Sequence, residues 1–137
     1  MSTSLAVSNV LAIMLISLIN CSCDIVGDIK VKNGTDEAIV VKIIHKKEPS
    51  LPEDKEIRVA PGDAGYMYYG FGTVWTDEYI MKYSQKIDTV IINRSNGDIV
   101  LTQTEYIQEW FEGGRRDLLR KRLVIVVDSF NSSSTRP

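Results

Sequence analysis

Between Asp28 and Asp128 the chain is interrupted every few residues by turn chemistry, and the pieces in between are short and rich in β-branched side chains. Helix bundles need longer apolar-periodic runs, so this pattern points to sheets. DIKVKN, Asp28 to Asn33, places Ile29 and Val31 on one face and Lys30 and Lys32 on the other, as a strand with one wet side does. Asn33-Gly34-Thr35-Asp36 supplies turn chemistry. AIVVKIIHK follows, with β-branched residues crowded from Ile39 to Ile44. A polar, Pro-containing loop leads to EIRVAPG, a third strand stopped by Pro61-Gly62. GYMYYGFG reads as a fourth.

The period then changes. Thr76 can cap a helix with Asp77 and Glu78 in its first turn and Lys82 and Lys86 towards its end, an order that suits the helix dipole. IDTVIINRS and DIVLTQ are strands joined through Asn96-Gly97, a two-residue hairpin signal. TEYIQEWFE is a second short helix with Tyr106, Ile107, Trp110 and Phe111 on its apolar side and Gly113 at its end. LVIVVD, Leu123 to Asp128, is nearly all apolar and reads as a buried final strand. About seven strands and two short helices predict a mainly β domain over 28–128, a β-sandwich, with an immunoglobulin-like layout as one form of it. An α+β sheet carrying both helices on one face is the competing architecture. NSSSTRP makes 129–137 a disordered tail.

The N-terminal residues are of another kind. Every Asp, Glu, Lys and Arg lies at Asp24 or beyond. VLAIMLISLI, Val10 to Ile19, is shorter than the about 20 apolar residues a transmembrane helix needs, and has the length of a signal-peptide apolar region. Leu18-Ile19-Asn20-Cys21 closes it. This tetrad resembles the lipobox of bacterial lipoproteins, in which an aliphatic residue stands three before a cysteine. The resemblance implies a signal peptide over 1–20, cleavage before Cys21, and acylation of its thiol, with Cys23 as runner-up. Acyl chains contribute about 0.8 kcal/mol per buried CH₂, enough in pairs to hold a domain at a bilayer. A cell-envelope address follows, periplasm-facing or at the surface, with 21–27 as a short tether. The IKVKNGTDEAIVV unit likewise resembles the opening hairpin of many exported bacterial sandwich domains. As a disulfide, Cys21–Cys23 would close a very tight ring; as a metal site it would lack ligands, since the one histidine, His45, is remote in sequence.

For catalysis the sequence offers little. Net charge is −2, so no global field draws nucleic acid. His45, at a strand end beside Lys46 and Lys47, reads as an exposed imidazole. Gly70-Phe71-Gly72 lacks the third glycine of a dinucleotide site. Glu105 and Glu109 share a helical face, where they read as a solvated pair. No metal or cofactor is expected. Two clusters are candidates for a binding surface. Tyr66, Tyr68, Tyr69, Phe71 and Trp75 lie close together, with Tyr66 and Tyr68 on one strand face; such rings fill a core or anchor a partner. Arg115, Arg116, Arg120, Lys121 and Arg122 form a basic run suited to lipid phosphates or acidic glycans, or to guarding a sheet edge. The expected binding surface is Tyr66, Tyr68, Trp75, Arg115 and Arg116. The expected protein is a membrane-anchored envelope lipoprotein with a non-catalytic binding or structural domain, whose partner is an envelope protein or glycan. A periplasmic immunity or inhibitor lipoprotein is the second possibility, and a small hydrolase using Glu105, Glu109 or Asp77 the third.

Overall fold

The computed structural model describes residues 26–70 and 72–128. The apolar leader 1–20, Cys21, Cys23, most of the tether, Phe71 and the tail 129–137 lie outside the described residues. In chain order the elements are β1 (Gly27–Asn33), β2 (Ile39–His45), β3 (Lys55–Val59), β4 (Ala64–Gly70), α1 (Asp77–Ser84), β5 (Ile87–Asn93), β6 (Ile99–Leu101), α2 (Thr104–Glu112), β7 (Arg115–Arg116) and β8 (Arg122–Val127). The strands form two four-stranded sheets, β4-β1-β8-β7 and β3-β2-β5-β6. Alternation supplies the core. Ile29, Val31, Leu123 and Ile125 of the first sheet join Ile39, Val41, Ile43 and Val90 of the second in one buried cluster. The domain is a β-sandwich, with four strands in each sheet.

The helices add to the same core. Thr76 caps α1, its Oγ1 accepting the Tyr79 N–H at 3.1 Å. Ile80 and Tyr83 of α1 and Ile107 and Phe111 of α2 are buried in the same cluster as the strand residues. α2 carries the chain from β6, at the edge of the second sheet, to β7, at the edge of the first.

Four expectations need correction. First, β1 and β2 are not a hairpin: β1 pairs with β4 and β8, and β2 with β3 and β5. The turn between them crosses from one sheet to the other, held by the buried Asn33 amide, which donates to Glu37 O at 2.7 Å and Val59 O at 3.0 Å. Second, β5 and β6 do form a hairpin, but their pairing stops at Ile92 and Ile99. The loop is wider than the Asn-Gly signal implies and is braced by Arg94 Nε donating to Gly97 O. Third, β8 is not buried on both sides: Leu123, Ile125 and Val127 are, while Val126 is 48% exposed. Fourth, beyond the about seven strands read from the sequence there is an eighth, β7, formed by Arg115 and Arg116 against Val124 and Leu123 at the edge of the first sheet.

Candidate functional site

The outer face of the first sheet brings together residues that are distant in sequence. Its register makes three lateral rows. Tyr66, Lys30, Val124 and Arg115 are successive neighbours in the first. Tyr68, Asp28 and Arg122 make the second, and Ala64, Lys32 and Val126 the third. Two of the expected clusters, the strand tyrosines and the start of the basic run, therefore share one surface. Lys30 and Lys32 were not anticipated; their alternation with Ile29 and Val31 showed that they point outward, but only the register shows what they stand beside.

The local chemistry is cationic and aromatic. Arg122 forms a two-pronged ion pair with the buried Asp28, Nε to Oδ1 at 2.7 Å and Nη2 to Oδ2 at 2.8 Å. This hydrogen bonding raises the Arg122 pKa further above its already high value; burial opposes it and the Asp28 charge adds to it. The Arg122 guanidinium and the Lys30 ammonium lie 5.2 and 5.4 Å from the Tyr66 ring centre. Tyr66 stacks near-parallel on Tyr68, which is 62% exposed. Between the cations is a shallow basin of about 250 Å³, lined by Lys30, Lys32, Arg115, Arg116, Arg122 and the single carboxylate Asp117. Asp117 accepts the Arg122 backbone N–H at 3.0 Å. Among the described residues no carboxylate forms an ion pair with Lys30, Lys32 or Arg115.

Of the expected surface residues, Trp75 belongs elsewhere, and Arg116 borders the basin with its charge already paired. Trp75 is fully buried, and its indole N–H donates to Asp28 O at 2.9 Å. It cannot meet a partner. Arg116 is turned to α1, where its Nη1 lies 2.6 Å from Asp77 Oδ1.

A larger cleft of about 630 Å³ opens at the side of the sandwich, where β7 covers only Leu123 and Val124 of β8. Ile99, Leu101, Trp110 and Ile125 supply apolar walls, and Lys32, Glu109, Arg115 and Asp128 supply charges. Its size is that of a small-molecule site. Of the carboxylates weighed for hydrolysis only Glu109 reaches it. Among the described residues no three His, Cys, Asp or Glu side chains gather as a metal site.

His45 also departs from expectation: it is 4% exposed. It continues the inward alternation of Ile39, Val41 and Ile43 along β2, which puts its ring on the buried face. Nε2 lies 2.8 Å from the Tyr83 hydroxyl, which donates to the Tyr69 hydroxyl at 3.0 Å. Burial pushes both phenols far above the ordinary tyrosine pKa, so they stay neutral. On the other side, His45 Nδ1 lies 3.8 Å from Asp54 Oδ1. Desolvation lowers the His45 pKa from 6.5; Lys55 adds to this, and Asp54 and the Glu53 backbone oppose it. The folded pKa being the lower one, the unfolded chain takes up the proton first. Stability is therefore full above the unfolded value and falls as pH drops from there through the folded pKa. Urea unfolding between about pH 7.5 and 5.5 should show the midpoint dropping with pH, and His45→Gln should flatten that slope. An unchanged slope in the variant would assign the pH dependence to other groups.

No family model, curated protein or solved structure matches the chain. Among the described residues no helix is long and apolar enough to cross a membrane.

Proposed function

We propose that this chain is a lipid-anchored protein of the bacterial cell envelope whose β-sandwich is a non-catalytic binding module. The observation that carries it is the charge-free run VLAIMLISLI ending in Leu18-Ile19-Asn20-Cys21, followed at once by a charged, strand-forming sequence. An acyl group on Cys21 would hold the domain at the bilayer. The side cleft and the aromatic, cationic sheet face support a binding role, since both present convergent apolar and charged groups to solvent.

The test is metabolic labelling with an alkyne fatty acid. Label is expected on the wild type and on Cys23→Ala, and is lost in Cys21→Ala, which should also leave the membrane fraction. Loss with Cys23→Ala alone would move the anchor by two residues. An unlabelled wild type would refute the anchor.

A further inference from the structure

The outer face of the first sheet is an odd surface for a soluble sandwich. A wet face of this kind ordinarily alternates apolar-in with polar-out. Here Tyr66, Tyr68, Val124 and Val126 point outward among cations. The charge is also segregated. The whole chain is weakly acidic, at −2, yet Lys30, Lys32 and Arg115 gather around one basin with Asp117 as its sole carboxylate. Asp28 offsets Arg122 and Asp77 offsets Arg116, which leaves those three cations to face a partner.

We infer that this face docks on anionic phospholipid headgroups. Three features select a bilayer over other anions. Lysine and arginine within a Debye length of an anionic membrane are each attracted to it. Tyrosine, with an apolar ring and a polar tip, settles at the level of the headgroups, and small aliphatic groups beside it reach the acyl boundary. The third feature rests on the anchor proposed above. Cys21 stands six residues before Gly27, the first residue of β1, and β1 is a central strand of this very sheet. A tether of that length spans at most about 20 Å, so the face is never far from the bilayer that holds the acyl chains. The anchor supplies attachment, and the face sets which side of the domain lies against the lipid.

The test separates this face from the anchor. Full-length protein carrying Cys21→Ala and Cys23→Ala cannot be acylated at either position. It is mixed at low salt with vesicles of phosphatidylcholine alone or with one-third phosphatidylglycerol. Residues before Asp24 carry no charged side chain, so apart from the α-amino group, which every variant shares, their contribution is common to both vesicles. At about fivefold per cation, the ratio should be on the order of a hundredfold in favour of the anionic vesicles. Lys30→Glu, Lys32→Glu, Arg115→Glu should bring it to one or below. Lys47→Glu, Arg58→Glu, Lys86→Glu, the same charge change on the second sheet and its flanking residues, should leave most of it. Circular dichroism checks that each triple variant folds. Should the first fail to fold, the milder Lys30→Gln, Arg115→Gln pair is expected to lower the ratio on the order of twentyfold. A ratio near one for the parent overturns the inference, as does an equal loss in both triples. Retention on an acidic polysaccharide resin with no vesicle preference also overturns it and gives the face to a glycan. The anchor is read separately, by acyl label on the wild type.

Discussion

Trp75→Ala is expected to remove about 3–5 kcal/mol of folding stability and to lower Tm by roughly 15–30 °C. A domain of this size has only about 5–15 kcal/mol in total, so the loss is a large share of it. The magnitude follows from what the indole touches. Trp75 is fully buried, meets Tyr69, Tyr79 and Tyr83 edge-on, and stacks on Phe111 at 6.3 Å. It thereby ties β4, α1 and α2 into one aromatic cluster. Its N–H also satisfies Asp28 O, a buried carbonyl on β1. Trp75→Phe keeps a ring in place and leaves that carbonyl without its donor, so it should cost less, about 1–3 kcal/mol. The measurement is urea unfolding followed by far-UV circular dichroism. A midpoint unmoved by Trp75→Ala would mean that the ring is a surface group after all, since exposed substitutions usually fall within about 0.5 kcal/mol.

Trp75 also shows where a sequence stops speaking. Alternation along AGYMYYG assigned Tyr66 and Tyr68 to one face and Met67 and Tyr69 to the other, and the structure keeps that division. Alternation cannot say which face is wet. Trp75 lies outside any strand or helix, so no period placed it; its buried N–H finds its partner on a strand 47 residues away. β1 was legible because Ile29 and Val31 alternate with Lys30 and Lys32, and β2 because its β-branched residues crowd together. β8 was misread for an instructive reason. RLVIVV looks like a strand covered on both sides, but its outward Val124 and Val126 lie on an uncovered sheet. A hydrophobic run reports what a strand carries, not what covers it. β7 gave no signal because two arginines have no strand periodicity of their own; only pairing with β8 defines it. The shared surface of Tyr66, Lys30 and Arg115 was illegible for the same reason, since parallel pairing of the first and last strands is a fact of topology. His45 was misjudged from its exposed lysine neighbours, although it shares the buried face of β2 with Ile39, Val41 and Ile43.

Gly65→Val is expected to destabilise the domain by about 1–3 kcal/mol, against the direction that strand chemistry predicts. Glycine inside a strand is ordinarily a weakness, and valine at an open site of β4 would strengthen it. Gly65 sits where the two sheets close on each other: β4 edges the first sheet, β3 edges the second. A Cβ built there would lie 2.9 Å from Ile57 Cγ1 and 3.2 Å from Val59 Cγ2, with Ile57 Cδ1 closer still. Turning only the tip of Ile57 does not relieve the contact with Cγ1, so the side chain must change rotamer or the strands must part. Ile57→Ala removes both crowding atoms. In a double-mutant cycle the pair Gly65→Val, Ile57→Ala should therefore cost less than the sum of its singles, with a coupling of about 0.5–3 kcal/mol. The sign of the single variant decides first. Stabilisation by Gly65→Val would show that the sheets have room at this edge. Destabilisation with no coupling to Ile57 would move the obstacle to Val59 and leave the close approach of β3 and β4 intact.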